Sequence, residues 1–189
     1  MRTDGPGDRS FTITQIADDA VDVVLRGVGY RYEARPGYSK IEARRDGELL
    51  ESSEMESANG ETRLATWRRS RPVACFVTRV DGDEVSSTIE VGDDSYDVRS
   101  DQRTHGAELA RVLQDVRAPA MPYVRRFGRE YTKNADFRAA MVERKMAVPL
   151  NGGSIFCGIV CSCCLIVVVD PIPGDEAPCC VACAQCLLG

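Results

Sequence analysis

The cysteines are the residues of this chain whose type and spacing could do chemistry. Eight of the nine lie in the last 39 residues, 151–189. They form two clusters: Cys157, Cys161, Cys163 and Cys164, then Cys179, Cys180, Cys183 and Cys186. Thiols at this density either pair as disulfides in an oxidising compartment or bind a metal ion as thiolates. The C-terminal segment, 151–189, therefore holds most of the reactive side chains.

Disulfides are the first prediction for these cysteines. An even number of cysteines in a short segment indicates a disulfide framework, although eight of them allow 105 pairings and the connectivity cannot be derived. Pro171, Pro173, Gly174 and Pro178 predict a turn that folds the second cluster onto the first, so pairs between the clusters are expected. A closed loop of about 15 residues stabilises by roughly 3 kcal/mol in the chain-entropy account, enough to order so short a segment.

Metal binding is the alternative for the same thiols. Cys180, Cys183 and Cys186 have the spacing of the first three ligands of a bacterial ferredoxin run, and thiolates at this spacing also suit tetrahedral zinc. The segment 157–164 has the spacing of a radical-SAM motif, but only 25 residues follow it, too few for the barrel of that class. No Lys, Arg or His lies in 151–189 to balance four thiolates. Zinc, an iron–sulfur cluster, a redox role and lipid acylation stay open.

The chain divides at about residue 150. Residues 155–169 are nearly all apolar, and the only charges in 151–189 are three acids: Asp170, Asp175 and Glu176. All 24 basic residues and 26 of the 29 acids lie upstream. A segment of 39 residues needs disulfides, a metal or a membrane to hold one shape, whereas about 150 residues can bury a core. We expect residues 1–9 to be disordered, 10–150 to form one domain, and 151–189 to be a Cys-rich apolar peptide.

Residues 10–99 alternate apolar and polar side chains in short runs that are typical of strands. The runs number eight: 11–16, 21–25, 30–34, 38–43, 62–67, 73–80, 85–91 and 96–98. Several are bounded by turn-forming pairs: Asp46-Gly47, Asn59-Gly60, Asp81-Gly82 and Gly92-Asp93. This pattern predicts an antiparallel β meander with one face on a core.

The pattern changes after residue 101, and two or three helices are predicted within 101–148. In 104–117 the apolar residues follow helical spacing: Leu109, Val112, Leu113 and Val116. Pro119 and Pro122 are expected to break the chain after that helix, and another helix should begin after Asn134. The fold class predicted for residues 10–150 is therefore α+β, a meander followed by helices, with a small Cys-rich C-terminal peptide attached.

Few residues of this domain could do chemistry. His105 is the only histidine and lies at a predicted helix start, where a solvated or capping role is expected rather than catalysis. Cys75 lies in a predicted strand and is expected to be a buried, small apolar residue. The patches Arg68-Arg69-Arg71 and Arg125-Arg126-Arg129 could bind an anion, but solvated faces balanced by nearby acids are expected. No phosphate-binding glycine loop or nucleophile elbow occurs, so we predict no catalytic residue and no enzyme activity.

Charge and hydropathy exclude further classes. The net charge is −5, so nucleic acid is not expected as a partner. Residues 155–169 would span only about 22 Å as a helix, less than the roughly 30 Å hydrocarbon core of a bilayer. Residues 1–9 carry charges and turn formers without an apolar run after them, so no secretory signal is recognisable. Only three of the 24 basic residues are lysine, a composition that suits a high-GC or salt-adapted source.

The joint between the two parts lies at 150–154 and contains Gly152-Gly153-Ser154. Two glycines ahead of a Cys-rich apolar segment resemble the double-glycine leader site of bacteriocin-type precursors. Apolar residues fall at the positions which that pattern uses: Leu150, Ala147 and Val142. The resemblance implies a processing site at Gly152, Gly153 and Ser154, with a processing peptidase or exporter as partner. A plain linker is the other interpretation, and both place a protease-accessible joint here.

The overall layout, an N-terminal domain followed by an apolar Cys-rich peptide, resembles the halocin precursors of haloarchaea. The residues that carry the likeness are Cys157 to Cys186, with Gly158-Ile159-Val160 and 165–169 between them. In that family the C-terminal peptide is released as an antimicrobial and the N-terminal part can serve as immunity protein. The resemblance implies that 154–189 are secreted after processing, as a disulfide-stapled peptide acting on a target-cell membrane or membrane protein, and that 10–150 are leader or immunity domain.

Two other functions stay open from the sequence. One is an intracellular, cytoplasmic protein that uses the Cys-rich segment as a zinc, iron–sulfur or redox site. The other is a membrane-associated interaction protein. No resident cofactor is expected unless the thiols bind a metal.

Overall fold

The computed structural model describes residues 11–116 and 120–144. Its described part is one antiparallel sheet of nine strands, in which each strand pairs with its neighbours in the sequence. The strands are β1 (Phe11–Ala17), β2 (Ala20–Leu25), β3 (Val28–Arg35), β4 (Tyr38–Arg45), β5 (Glu48–Ala58), β6 (Glu61–Arg68), β7 (Arg71–Asp81), β8 (Glu84–Val91) and β9 (Asp94–Asp101). Three helices follow: α1 (His105–Leu113), α2 (Pro122–Lys133) and α3 (Ala135–Glu143). The predicted meander followed by helices is confirmed.

Two-residue turns connect all of the consecutive strands. In the turn before β5, Asp46 and Gly47 have φ values of 52° and 83°, and Asn59 and Gly60 before β6 have 52° and 76°. Positive φ at both turn residues matches the right-handed twist of the flanking strands, and Asn, Asp and Gly adopt it at the lowest cost. Three of the four turn pairs identified in the sequence are the turn residues themselves, whereas Asp81 ends β7 and residues 82 and 83 form that turn.

One face of the sheet forms the hydrophobic core. The register places Met55 of β5 opposite Leu64 of β6, Leu64 opposite Phe76 of β7, and Phe76 opposite Ile89 of β8. All four side chains are buried. Successive residues of a strand point to opposite faces, so the alternating pattern of the sequence becomes one apolar face and one polar face.

The opposite face carries charged pairs. The Arg31 Nε lies 3.0 Å from the Asp22 Oδ1, and the Arg79 Nε lies 2.6 Å from the Glu61 Oε2. Exposed pairs of this kind contribute about 0–1 kcal/mol each, so they mark the solvated side of the sheet more than they stabilise it.

The helices cover the apolar face with aromatic side chains. The Phe127 ring of α2 lies 5.4 Å from the Tyr30 ring and 5.6 Å from the Tyr32 ring, both on β3. The Phe137 ring of α3 lies 5.5 Å from Phe127 and 5.2 Å from Phe11 on β1, each in a T-shaped arrangement. Such pairs add about 0.5–1.5 kcal/mol beyond area burial, so they hold α2 and α3 against the first half of the sheet.

Two elements differ from the sequence prediction. β5 was not recognised, because its inward residues Glu51 and Ser53 are polar although buried. α2 was not recognised either: α1 ends before Pro119 and Pro122 as expected, but Pro122 also begins a new helix, where its missing N–H costs nothing and its fixed φ suits the first turn. The helix expected to begin after Asn134 does so: the Asn134 side chain accepts a hydrogen bond from the Phe137 N–H.

In the described part of the chain, no helix combines the length and apolar character needed to cross a membrane.

Candidate functional site: an arginine-lined cavity at the start of α2

The cysteine and processing sites predicted from the sequence lie outside the described residues. This applies to all eight C-terminal cysteines and to the joint: Cys157, Cys161, Cys163, Cys164, Cys179, Cys180, Cys183, Cys186, Gly152, Gly153 and Ser154. Disulfide formation, metal binding and cleavage there stay predictions. Within 11–116 and 120–144, no group of three or more His, Cys, Asp or Glu side chains could hold a metal ion.

A cavity of about 360 Å³ lies at the N-terminal end of α2. Four arginines and one acid line it: Arg26, Arg125, Arg126, Arg129 and Glu130. The remaining lining residues precede the helix or begin it: Ala120, Met121 and Pro122. The cavity is therefore a cationic recess between α2 and the turn that joins β2 to β3.

The sequence of α2 explains why these arginines share one side. Val124, Phe127 and Tyr131 are buried and recur at i, i+3 and i+7, so they form the stripe that packs on the sheet. The intervening positions 125, 126, 129 and 130 fall on the other side of the helix and carry three arginines and a glutamate. The amphipathic pattern thus sets three of the four cationic groups at the cavity.

The electrostatics of the helix start are unusual. A helix N-terminus carries about half a positive charge, and acids usually occupy the first turn for that reason. The first turn of α2 has no acid, and Arg125 and Arg126 follow directly after it. Charges of the wrong sign near a helix end cost about 0.3–1 kcal/mol each at exposed positions. Among the lining residues described, one carboxylate opposes the arginines: the Glu130 Oε1 lies 3.4 Å from the Arg26 guanidinium.

Glu51 of β5 supplies the carboxylate that the first turn lacks. Its Oε2 accepts hydrogen bonds from the Tyr123 N–H at 2.8 Å and from the Val124 N–H at 3.0 Å. Its Oε1 has no hydrogen-bond partner among the described residues. Burial raises the pKa of Glu51, and the two backbone hydrogen bonds and nearby arginines oppose that shift. Glu51 therefore joins the middle of the sheet to the start of α2.

Tyr123 positions one arginine of the cavity. The Arg126 guanidinium lies 5.7 Å from the centre of the Tyr123 ring, and the Arg45 guanidinium lies 5.6 Å from it. Cations at this distance from an aromatic face are attracted to it. The Tyr30 hydroxyl donates to the Tyr123 carbonyl oxygen at 3.1 Å, which holds this residue against β3.

His105 lies elsewhere and is buried, so the expected solvated or capping role is wrong. Its Nε2 lies 2.7 Å from the Ser87 Oγ and its Nδ1 lies 2.8 Å from the Ser100 Oγ. The Thr78 Oγ1 extends this hydrogen-bond network and lies 2.8 Å from the Ser87 Oγ. Burial lowers the pKa of His105, so the ring is neutral and uses one nitrogen as donor and the other as acceptor. The network fastens α1 to β8 and β9.

The other candidates of the domain are separate from the cavity. Cys75 is only partly buried, contrary to the expected buried apolar role, and the Arg63 Nε donates to its Sγ at 3.5 Å. Arg68, Arg69 and Arg71 are exposed at the β6–β7 turn, which agrees with the expected solvated face.

The sequence indicated three of the four cavity arginines as a cluster, 125–129, but not as a site. It gave no indication of Arg26, which is about 100 residues away and reaches the cavity only through the fold. A scan against protein-family models finds no match for this chain, and comparisons with curated proteins and with solved structures find none either.

Proposed function

We propose that the chain is the precursor of a small Cys-rich antimicrobial peptide of the halocin or bacteriocin type, released as residues 154–189. Residues 10–150 serve as its leader or immunity domain. One observation carries the proposal: eight of nine cysteines and no basic residue lie after residue 150, whereas all 24 basic residues lie before it. Two parts of one chain with such different chemistry are suited to different environments.

The described domain supports a division of labour. Its core gathers side chains from the sheet and all three helices, from Phe11 to Met141. The double-glycine joint follows this core in the sequence. A domain that buries its own apolar surface and an apolar peptide that needs disulfides can act separately once the joint is cut.

Release of the peptide is tested by mass spectrometry of the culture medium of the producing cells. The proposal predicts a fragment that begins near Ser154 and is lighter than its reduced form by two hydrogen masses for each disulfide. Recovery of the intact chain alone, inside the cells, would contradict the proposal.

The spacing of Cys180, Cys183 and Cys186 favours a second candidate, a metal or redox site on an intracellular protein. Metal analysis of the purified, reduced full-length chain separates the two functions. Zinc or iron at a fixed ratio to protein supports the metal site, whereas metal-free protein that forms disulfides in air supports the precursor. A chain with neither property would leave the third candidate, a membrane-associated interaction protein.

A further inference from the structure

We propose that the arginine-lined cavity at the start of α2 binds the acidic turn of the chain's own C-terminal segment, residues 170–176. The contacts are charge-assisted hydrogen bonds from the four arginines to the carboxylates of Asp170, Asp175 and Glu176. The inference extends the proposed function by naming what the domain recognises on the peptide, but it also applies to an uncleaved chain.

The side chains that line the cavity are suited to binding a carboxylate. Four guanidinium groups line one recess, and two of them follow the positive end of a helix whose first turn has no acid. Glu51 satisfies the first-turn N–H groups of α2 from the sheet, and the cavity lining itself adds one carboxylate, Glu130, to four arginines. Guanidinium groups bind carboxylates through two parallel hydrogen bonds, which lysine cannot do.

The C-terminal segment carries matching charge in a compact stretch. Its three acids all fall within 170–176, and no cation in 151–189 competes for them. Pro171, Pro173 and Gly174 separate the first acid from the other two, and such residues predict a turn that brings its ends together. The acidic turn is thus the one charged feature of the segment, opposite in sign to the cavity.

The chain is long enough for the contact. The described residues end at Arg144, whose carbonyl oxygen lies 3.4 Å from the Gln15 Nε2 on β1. Arg26 follows Leu25, which pairs with Phe11 at the other end of β1, so Arg144 and Arg26 are on the order of 20 Å apart. The 25 residues 145–169 can span roughly 80 Å when extended, several times the distance needed.

Fluorescence anisotropy with a labelled synthetic peptide of residues 168–178 tests the contact. The receptor is the full-length chain with its own turn neutralised by Asp170→Asn, Asp175→Asn and Glu176→Gln, so that the peptide has no internal competitor. At low ionic strength we expect the acidic peptide to bind at least about tenfold more tightly than a peptide carrying the same three amide substitutions. Equal binding of the two peptides would overturn the proposal.

Arginine variants locate the binding site. Combined Arg125→Gln, Arg126→Gln and Arg129→Gln should weaken peptide binding at least about tenfold, whereas the same substitutions at three exposed arginines near the far edge of the sheet should leave it unchanged. The control positions are Arg99, Arg103 and Arg111. Equal loss in both variants would indicate unspecific attraction and sink the inference.

Two further variants cover the case in which the triple substitution disturbs α2. Arg26→Gln lies in an exposed turn, with 59% of its side chain accessible, and should weaken binding while the melting temperature stays unchanged. Charge reversal gives the sharper result: Arg125→Glu with Arg129→Glu should lose the acidic peptide and recover binding to a peptide with Asp170→Lys, Asp175→Lys and Glu176→Lys. Absence of both effects in folded protein would contradict the contact.

Inorganic phosphate and anionic vesicles identify other ligands. If either binds the cavity in preference to the acidic peptide, the site recognises phosphate chemistry and the proposal is wrong. The outcome is independent of the proposed function, because release of residues 154–189 is measured in the medium. Release of residues 154–189 without peptide binding would contradict only the proposed contact. Peptide binding without release would contradict only the proposed precursor function.

Discussion

Tyr30 and Tyr32 lie on the same face of β3 and are both buried, yet their hydroxyls differ. The Tyr30 hydroxyl donates to the Tyr123 carbonyl oxygen, whereas the Tyr32 hydroxyl has no hydrogen-bond partner among the described residues. Burial raises the pKa of Tyr30 to about 12 and raises that of Tyr32 as well, so both are neutral. A cavity of about 20 Å³ that also touches Ser39 and Ser53 lies beside Tyr32, with room for one water.

This difference predicts unequal effects of removing the two hydroxyls. Tyr30→Phe removes the hydrogen bond to the Tyr123 carbonyl oxygen and should lower the free energy of unfolding by about 1 kcal/mol. Tyr32→Phe removes a hydroxyl that makes no protein hydrogen bond and should change it by less, or raise it. Urea unfolding of the two matched variants checks the order, and a larger loss for Tyr32→Phe would refute the assignment.

His105 predicts an acid-sensitive stability. Because burial lowers its pKa from 6.5, the folded protein binds fewer protons than the unfolded chain; the stabilisation is complete above that pH and declines as the pH falls through the folded-state pKa. The stability advantage of wild type over His105→Gln should therefore shrink between about pH 7.5 and pH 5. Urea titrations at several pH values measure it. An advantage that stays constant would mean that His105 is not the group concerned.

For single residues, the sequence identified the candidate residues better than it predicted how deeply each one is buried. It identified His105 as the single histidine and 125–129 as an arginine cluster, because these are visible in composition. It did not predict that His105 is buried, since its partners Ser87 and Ser100 come from β8 and β9. These two serine hydroxyls form hydrogen bonds with the ring nitrogens and so offset the cost of burying them. Pairing between strands brings the hydroxyls to the ring, and a local sequence pattern does not encode that pairing.

Among the elements, the hairpin turns were predictable and β5 was not. Tight hairpin turns require positive φ, which Asn, Asp and Gly adopt at the lowest cost, so Asn-Gly and Asp-Gly pairs mark such turns in the sequence. β5 is rich in Glu and Ser and has no β-branched residue, and its burial follows from neighbours on both sides rather than from its own propensity. Its Glu51 is inward because it caps α2, which lies about 70 residues further along the chain.

The turn before β4 depends on a glycine for two reasons. Gly37 has a φ of 72°, and a Cβ built there would lie 2.7 Å from the Ser57 carbonyl oxygen. Gly47 has a φ of 83° with nothing within 4 Å of such a Cβ. Gly47→Ala should cost roughly 1–2 kcal/mol from φ alone, and Gly37→Ala should cost clearly more, because backbone must also move. Thermal unfolding compares the two, and equal losses would contradict the close approach.

Substitutions of Glu51 test how α2 is attached to the sheet. Glu51→Ala leaves the Tyr123 and Val124 N–H groups without an acceptor and should destabilise by about 2 kcal/mol more than Glu51→Gln, whose side-chain oxygen can still accept from them. The pKa of Glu51 is raised from 4.5, so its contribution is complete below that pH and is lost as the pH rises through the folded-state pKa. Glu51→Gln should accordingly gain stability relative to wild type with rising pH. Chemical unfolding across the acid range measures both effects, and the opposite pH trend would contradict the raised pKa.

For the whole molecule, the joint makes the most direct prediction. A peptidase cleft that is narrow at its first two subsites accepts only residues without side chains. If the proposed processing takes place at the joint, Gly152→Val and Gly153→Val should therefore each block release of the C-terminal segment, with the melting temperature unchanged because the described core lies upstream. An immunoblot for a tag at the C-terminus checks release.

Gly7→Val serves as the matched control, since it makes the same substitution at a glycine far from the joint in the sequence. Normal release from both joint variants would rule out the double-glycine interpretation and leave a plain linker. The disulfide prediction for the eight cysteines would stand in either case.

The order of the elements along the chain has a consequence for synthesis. Each strand pairs with the strand made just before it, so the sheet can grow as it emerges, but α2 and α3 come last. About 36 residues separate Asp101, at the end of β9, from Phe137. At a synthesis rate of 5–20 residues per second, roughly 2 to 7 s pass between completion of the sheet and synthesis of the helices that cover its apolar face. Throughout that interval a nascent chain presents Tyr30, Leu64 and Phe76 to its surroundings, and a ribosome-associated chaperone would meet the protein at this stage.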